Sequence, residues 1–248
     1  MVLKLREGVI LNKSGKEKIS RIFDKDQQTK LDIYMQMILD WQPMLHLVST
    51  NALQNLRKHI LDSAYLLKFM DSELTSAKSE NESFFGIKNI TEQDQLNEPK
   101  SPELCKYILD FGSGNGFPGV ILAILGLDVI LVEIHKKKCI FLDEVKIKLE
   151  LNNLQVYNSD IRNFNLQSSN SCKYKEIKYI VTKGFGKVDK CIEYTEHIWS
   201  EDTVGLFIKS NDVESELEQA LTKWNFNHKI LSRYMPGFVL ELKNLRKI

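Results

Sequence analysis

The segment Tyr107–Gly119, Y-I-L-D-F-G-S-G-N-G-F-P-G, constrains this chain more than any other. Tyr107, Ile108 and Leu109 form a short apolar run that reads as a buried strand, and Asp110 ends it. Gly112, Gly114 and Gly116 follow at every second position. Glycine lets the backbone turn sharply and approach a ligand with no Cβ in the way. Pro118 stands where a helix can begin, because a first-turn proline gives up no needed donor. Val120–Leu125 continues as an apolar helix. Strand, glycine loop and helix N-terminus in this order make a nucleotide-type binding site.

Gly114–Gly119 fits G-x-G-x-x-G, the dinucleotide fingerprint, but that motif alone is weak. In a dinucleotide site the first glycine directly follows the strand, whereas Asp110-Phe111-Gly112-Ser113 intervenes here. The pattern D-x-G-x-G-x-G instead resembles the first motif of the Rossmann-like S-adenosylmethionine (AdoMet) methyltransferases, whose loop packs on the methionine part of the cofactor. A second acid suits either ligand. Asp128–Glu133 (D-V-I-L-V-E) reads as the next strand, with Glu133 at its carboxyl end, where a carboxylate can accept both ribose hydroxyls. A dehydrogenase therefore stays as a remote alternative.

From Lys106 onward strand and helix patterns alternate. Strands are expected at 107–110, 128–133, 154–158, 177–182 and 203–209, with two more near Phe226–Leu231 and Phe238–Leu242. Helices are expected at 117–125, 136–151, 187–199 and 212–224. Such alternation means an α/β fold, a mostly parallel seven-stranded sheet with helices on both faces. Ligands of these sheets lie beyond the carboxyl ends of the strands. Asp110, Glu133, Asp160, Lys183 and Lys209 fall at or just past those ends, so one shared site is expected.

The first 70 residues read as a helical extension. Leu31, Tyr34, Met35, Ile38 and Leu39 repeat at helical spacing, and Pro43 is expected to stop that helix near Trp41. A further helix fits Ala52–Met70. Residues 71–103 are polar and rich in Ser, Glu and Asn, and read as a flexible insertion. The expected division is thus 1–70, 71–103 and a Rossmann-like domain at 104–248. Apolar content of 43% and charged content of 27% place the chain among soluble globular proteins. Lys and Arg (34) nearly balance Asp and Glu (33), so a nucleic-acid partner would have to be met by a local patch. The four cysteines show neither zinc-ligand spacing nor a disulfide framework, which points to a reducing cytoplasm and no metal. The N-terminus lacks an apolar core of signal-peptide length, and no run approaches the ~18 apolar residues of a membrane span.

The stretch L-D-F-G-S-G-N-G-F-P-G-V-I-L-A-I resembles the signature of the RsmG (GidB) family, bacterial methyltransferases of small-subunit ribosomal RNA. Phe117-Pro118-Gly119 is its distinguishing part. Lys58–Ser63 resembles the family's R-H-x-x-D-S, and Leu206–Lys209 its L-A-L-K. Leu131–Glu133, Lys136–Lys138 and Phe141–Val145 resemble its second strand and helix. The resemblance implies methyl transfer from AdoMet to N7 of a guanine in 16S ribosomal RNA, acting as a monomer on the RNA or the small subunit. It implies that Asp110, Gly112, Ser113, Gly114, Gly116, Phe117 and Glu133 hold AdoMet, with Ser159, Asp160 and Ile161 flanking the adenine. Lys183 stands where the family places an arginine, which keeps the charge and gives up bidentate geometry.

Guanine N7 carries an in-plane lone pair and needs no deprotonation, so alignment can carry catalysis without a general base. Lys183 and Lys209 are the candidate catalytic cations, orienting guanine O6 or a phosphate. Lys183 is also counted with the cofactor site. His59 reads either as a packed helix-face histidine or as a ligand contact, and Asp62 as a local structural acid. Lys136–Lys138 fit phosphate contacts or a solvated helix start equally. Tyr34 and Trp41 sit at core spacing. A non-catalytic AdoMet- or RNA-binding relative and a small-molecule methyltransferase are the alternatives.

Overall fold

A computed structural model describes residues 22–71, 104–166, 174–209, 212–232 and 234–248. The insertion expected at 71–103 lies, apart from Asp71, outside them. Helix α1 (Lys25–Leu45) starts at Asp24, which forms a capping box with Gln27. Each side chain accepts from the other's backbone N–H, satisfying two donors that a helix start leaves open. Pro43 does not stop this helix near Trp41. It lies inside the last turn, so its missing N–H removes a single bond close to the end. The helix ends at His46 instead, in the left-handed region, whose N–H bonds Gln42 O. The Gln42 amide then clamps the departing chain through both polar groups of Val48.

The single helix expected over Ala52–Met70 is three pieces: α2 (Thr50–Gln54), α3 (Leu56–Ala64) and a 3₁₀ turn at Tyr65–Phe69. The break is at Asn55, whose side-chain amide donates to Asn51 O and whose backbone leaves helical geometry at φ −117°. Side-chain bonds of this kind compete with the helical ladder.

The strands are β1 (Leu104–Phe111), β2 (Val129–Glu133), β3 (Leu154–Asn158), β4 (Tyr174–Lys183), β5 (Val204–Lys209), β6 (Trp224–Ser232) and β7 (Phe238–Lys247). They form one sheet in the order β3-β2-β1-β4-β5-β7-β6. The first five run parallel, and β7 is antiparallel to both neighbours. Helices α4 (Gly119–Ile124), α5 (Lys136–Lys148), α6 (Val188–Thr195) and α7 (Val213–Leu221) are the crossovers. This is the expected seven-stranded α/β architecture.

The sheet separates two cores. On one side Ile108, Leu131, Val181 and Ile208 pack with α4, α5 and the N-terminal helices, through Tyr34, Ile38, Leu56 and Ile60. On the other side Leu109, Val132, Ile180 and Phe207 pack with α6 and α7. Strands β2 and β5 are buried at every position, as strands covered on both faces must be. The N-terminal helices therefore share a core with the sheet. Trp41 packs against Phe141 of α5 at 5.7 Å, and Tyr34 bonds the carbonyl of Asn115 in the glycine loop. Both aromatics pack, as their spacing implied. No helix among the described residues is long and apolar enough to cross a membrane. Cys139 and Cys191 are free and buried, but Cys105 is disulfide-bonded. Cysteine spacing did not foretell that bridge, because pairing depends on approach in space.

Ile38 is fully buried where α1 meets this core. Ile38→Ala is expected to cost about 2–5 kcal/mol, read as a lowered urea midpoint with unchanged slope.

Candidate active site

The loop after β1 turns through three left-handed glycines, Gly112, Gly114 and Gly116. At two of them space also demands glycine. A Cβ on Gly112 would lie 2.3 Å from the Phe185 ring, and one on Gly116 2.5 Å from Val120 and 2.8 Å from the Tyr34 hydroxyl. Gly114 has only Gly112 O near its Cβ position, at 3.7 Å, so that side of the loop stays open. The loop is held from below. Ser113 Oγ donates to Asp110 O and its N–H to Val132 O, so this expected ligand side chain is buried and turned to the backbone. Pro118 caps α4 without entering it, and the Phe117–Pro118 peptide is cis.

Two acids flank the loop. Asp110 is buried, and its Oδ2 accepts from the Gly119 N–H at 2.8 Å. Its Oδ1 has no hydrogen-bond partner among the described residues. Burial, opposed by the Gly119 bond, raises its pKa to about 8. Glu133 accepts from Gly114 N–H through Oε2 at 2.9 Å, and from the His135 N–H and Nδ1 through Oε1, both at 2.8 Å. Burial pushes Glu133 up, but the His135 bonds and the Gly114 bond outweigh it and hold it below its ordinary value. With two partners on Oε1 and one on Oε2, the carboxylate has one lone pair left. Holding two ribose hydroxyls would require the exposed His135 ring to swing away.

Beyond β3, Ser159 donates its N–H to Glu133 O and its hydroxyl to Asp160 O. Asp160 caps the 3₁₀ turn Ile161–Asn163 and grips the Arg162 guanidinium. Those bonds hold its pKa down to about 2. Ile161 is buried, part of the core on the α6 and α7 side of the sheet.

The two expected cations are not neighbours in one site. Lys183 and Ile208 are register partners across β4 and β5. Paired residues share a sheet face and the next residue points the other way, so Lys209 projects from the opposite face to Lys183. Lys183 turns toward the N-terminal helices. Its Nζ lies 2.7 Å from His59 Nδ1, 3.6 Å from Asp62 Oδ2 and 5.5 Å from the centre of the Phe117 ring. An ammonium can only donate, so Nδ1 accepts and the imidazole proton sits on Nε2. Lys209 turns toward α7, where it pairs with Glu216 Oε2 at 2.6 Å and donates to Gly186 O.

His59 and Asp62 thus join the Lys183 side, where the sequence left His59 open and read Asp62 as a local structural acid. Their three-residue spacing on one helix face was the available signal. Phe185 and Glu216 carried no signal in sequence. Phe185 comes onto Gly112 from the loop after β4 and stacks edge-on against Phe111 at 4.7 Å.

A parallel sheet closed by an antiparallel seventh strand, with a glycine loop between acid-tipped β1 and β2, is the architecture of the Rossmann-like AdoMet-dependent methyltransferases. Residues 93–237 match the model of the GidB family, rRNA small subunit methyltransferase G, and the chain belongs to that family. It is 27% identical to ribosomal RNA small subunit methyltransferase G of Rickettsia prowazekii (strain Madrid E), over 88% of this chain and 95% of that protein. The protein of the same name from Rickettsia akari (strain Hartford) is 28% identical, with the same coverage of both chains. Among solved structures, a SAM-dependent methyltransferase from Aquifex aeolicus aligns with TM-score 0.42 and 17% identity, covering 57% of this chain and 84% of that one.

The raised pKa of Asp110 carries a sign. The folded state holds the proton more tightly than the unfolded chain does, so this group's stabilisation is full below its ordinary value of 3.8 and is lost as pH rises through about 8. Urea unfolding at pH 5 and pH 8 is expected to show Asp110→Asn gaining stability relative to the parent chain at the higher pH.

Proposed function

We propose that this protein transfers a methyl group from AdoMet to N7 of a guanine in 16S ribosomal RNA, acting as a monomer in the cytoplasm on the RNA or the small subunit. Membership of the small-subunit methyltransferase family carries the reading. The residues at the head of the sheet fit the donor. Asp110 has a buried oxygen with no hydrogen-bond partner among the described residues, suited to an ammonium. Glu133 retains acceptor capacity for a ribose hydroxyl, and the loop is open above Gly114. The sheet edge from Asp110 through Glu133 to Ser159, Asp160 and Ile161 would hold the cofactor. Gly112, Gly116 and Phe117 shape its floor, and Ser113 fixes the loop from behind.

AdoMet supplies an electrophilic methyl group on a sulfonium. The N7 lone pair forms the new N–C bond as the C–S bond breaks, and the positive charge passes from sulfur to the purine. No proton leaves N7, so the protein's work is alignment and charge placement. Lys183 is our candidate for that work. His59 and Asp62 hold its ammonium above the Phe117 ring, where it can steer a phosphate or guanine O6.

The test is methyl transfer from radiolabelled AdoMet to 16S RNA and to small subunits from a strain lacking this protein. Label at a guanine N7 is expected. Gly114→Arg fills the open side of the loop and should abolish AdoMet binding. Lys183→Ala should lower kcat/KM about tenfold or more, the equivalent of ~1.4 kcal/mol of lost transition-state contact. AdoMet binding with no transfer to either substrate would mark a non-catalytic relative.

A further inference from the structure

The contact between Lys183 and His59, 2.7 Å from Nζ to Nδ1, exists in one protonation state only. An ammonium has no lone pair to offer, so the bond needs an unprotonated Nδ1. The shared proton belongs to the lysine. Lysine is ordinarily the stronger base by about four pH units. The Asp62 carboxylate at 3.6 Å and the face of the Phe117 ring at 5.5 Å also favour a charge on Nζ. A proton on Nδ1 would remove the acceptor and set two positive charges side by side. Asp62 is the more distant partner, and its Oδ1 is engaged by the Met235 N–H. Asp62 is buried, whereas His59 is half-buried and within reach of water that can deliver the proton. Its ring also lies beside Phe117, with centroids 6.1 Å apart, so one imidazole borders both the glycine loop and the cation. Other charged groups surround the pair. Burial raises the Asp110 carboxyl at the end of β1, and the Lys183 charge is among the influences that lower it, so Asp110 senses this ammonium. The Tyr34 hydroxyl of α1 is committed to Asn115 O. On α3 itself, Arg57 is paired with Asp32 and Lys58 is exposed.

We infer that His59 is a positioning residue for Lys183 and that its neutral imidazole is a condition of methyl transfer. A proton on Nδ1 releases the ammonium from its place beside Phe117 and silences the enzyme from the acid side. The inference rests on the reading of Lys183 as the cation that serves transfer. Activity that depends on this contact is full while the imidazole is neutral and is lost as pH falls and the ring takes a proton. Two substitutions separate the acceptor from the ring. Asparagine at 59 carries an oxygen on the same carbon that bears Nδ1, an acceptor that does not titrate. Phenylalanine keeps a ring and has no acceptor.

The experiment compares the full-length protein with His59→Asn, His59→Phe, Lys183→Ala and the double variant Lys183→Ala/His59→Phe. The readout is kcat/KM for undermethylated small subunits between about pH 5.5 and 8.5, a range that brackets imidazole titration. AdoMet is kept saturating at every pH, so that proton binding at Asp110 does not enter through donor affinity. At the alkaline end His59→Phe should lose about tenfold, the scale of one hydrogen bond to a charged group. His59→Asn should recover most of that loss. As pH falls the parent should decline relative to His59→Asn, a pH-dependent ratio that a histidine serving only to pack would not produce. In the Lys183→Ala background His59→Phe should cost nothing further, because the group it positions is gone. A ratio of parent to His59→Asn that stays constant across the pH range, or losses that add in the double variant, overturns the inference and leaves the Lys183 reading standing. If His59→Phe does not fold, the His59→Asn ratio decides. A folded Lys183→Ala protein with parental kcat/KM overturns the Lys183 reading and this inference together, and a parent that methylates no subunit overturns the proposed function with both.

Discussion

Burial of the sheet on both faces governs the rest of this structure. Once helices cover β1, β2, β4 and β5 front and back, an ionised side chain within a strand would have no water to solvate it. The polar groups of the candidate site gather at the strand ends, where each chain leaves the sheet. Asp110, Glu133, Lys183 and Lys209 all sit at that edge, and each is held by hydrogen bonds or an ion pair. The glycine loop belongs to the same constraint. The Gly114 N–H donates to Glu133 and the Asn115 carbonyl accepts from Tyr34, so one acid and helix α1 help hold its curvature.

The alternation of side chains across the sheet then divides the site. Lys183 and Lys209 are close in register yet face opposite layers. One belongs with His59, Asp62 and Phe117 under the N-terminal helices. The other belongs with Glu216 and Gly186 under α7. Phe185, packed between Gly112 and Phe111, stands where the two halves meet.

The N-terminal helices belong to this arrangement as well. Tyr34 reaches the glycine loop, His59 and Asp62 reach Lys183, and Asp62 Oδ1 accepts the Met235 N–H from the turn between β6 and β7. A segment that reads in sequence as a helical lead-in supplies part of the site's polar framework.

The sequence alone determined the strand and helix succession, the glycine loop with its two acids, and the family. These rest on local patterns: apolar runs of strand length, helical periodicity, and glycines where the backbone must turn left-handed. It misplaced the end of α1 because a proline in a last turn costs a single bond, and missed the break at Asn55 because a side-chain bond to a neighbouring carbonyl leaves apolar periodicity intact. Only the tertiary structure decided which functional side chains meet. His59 meets Lys183 across 124 residues, and Glu216 meets Lys209 because α7 folds back over β5. Such contacts depend on the face a strand residue points from and the layer packed against it, and neither is written in the spacing of residues along the chain.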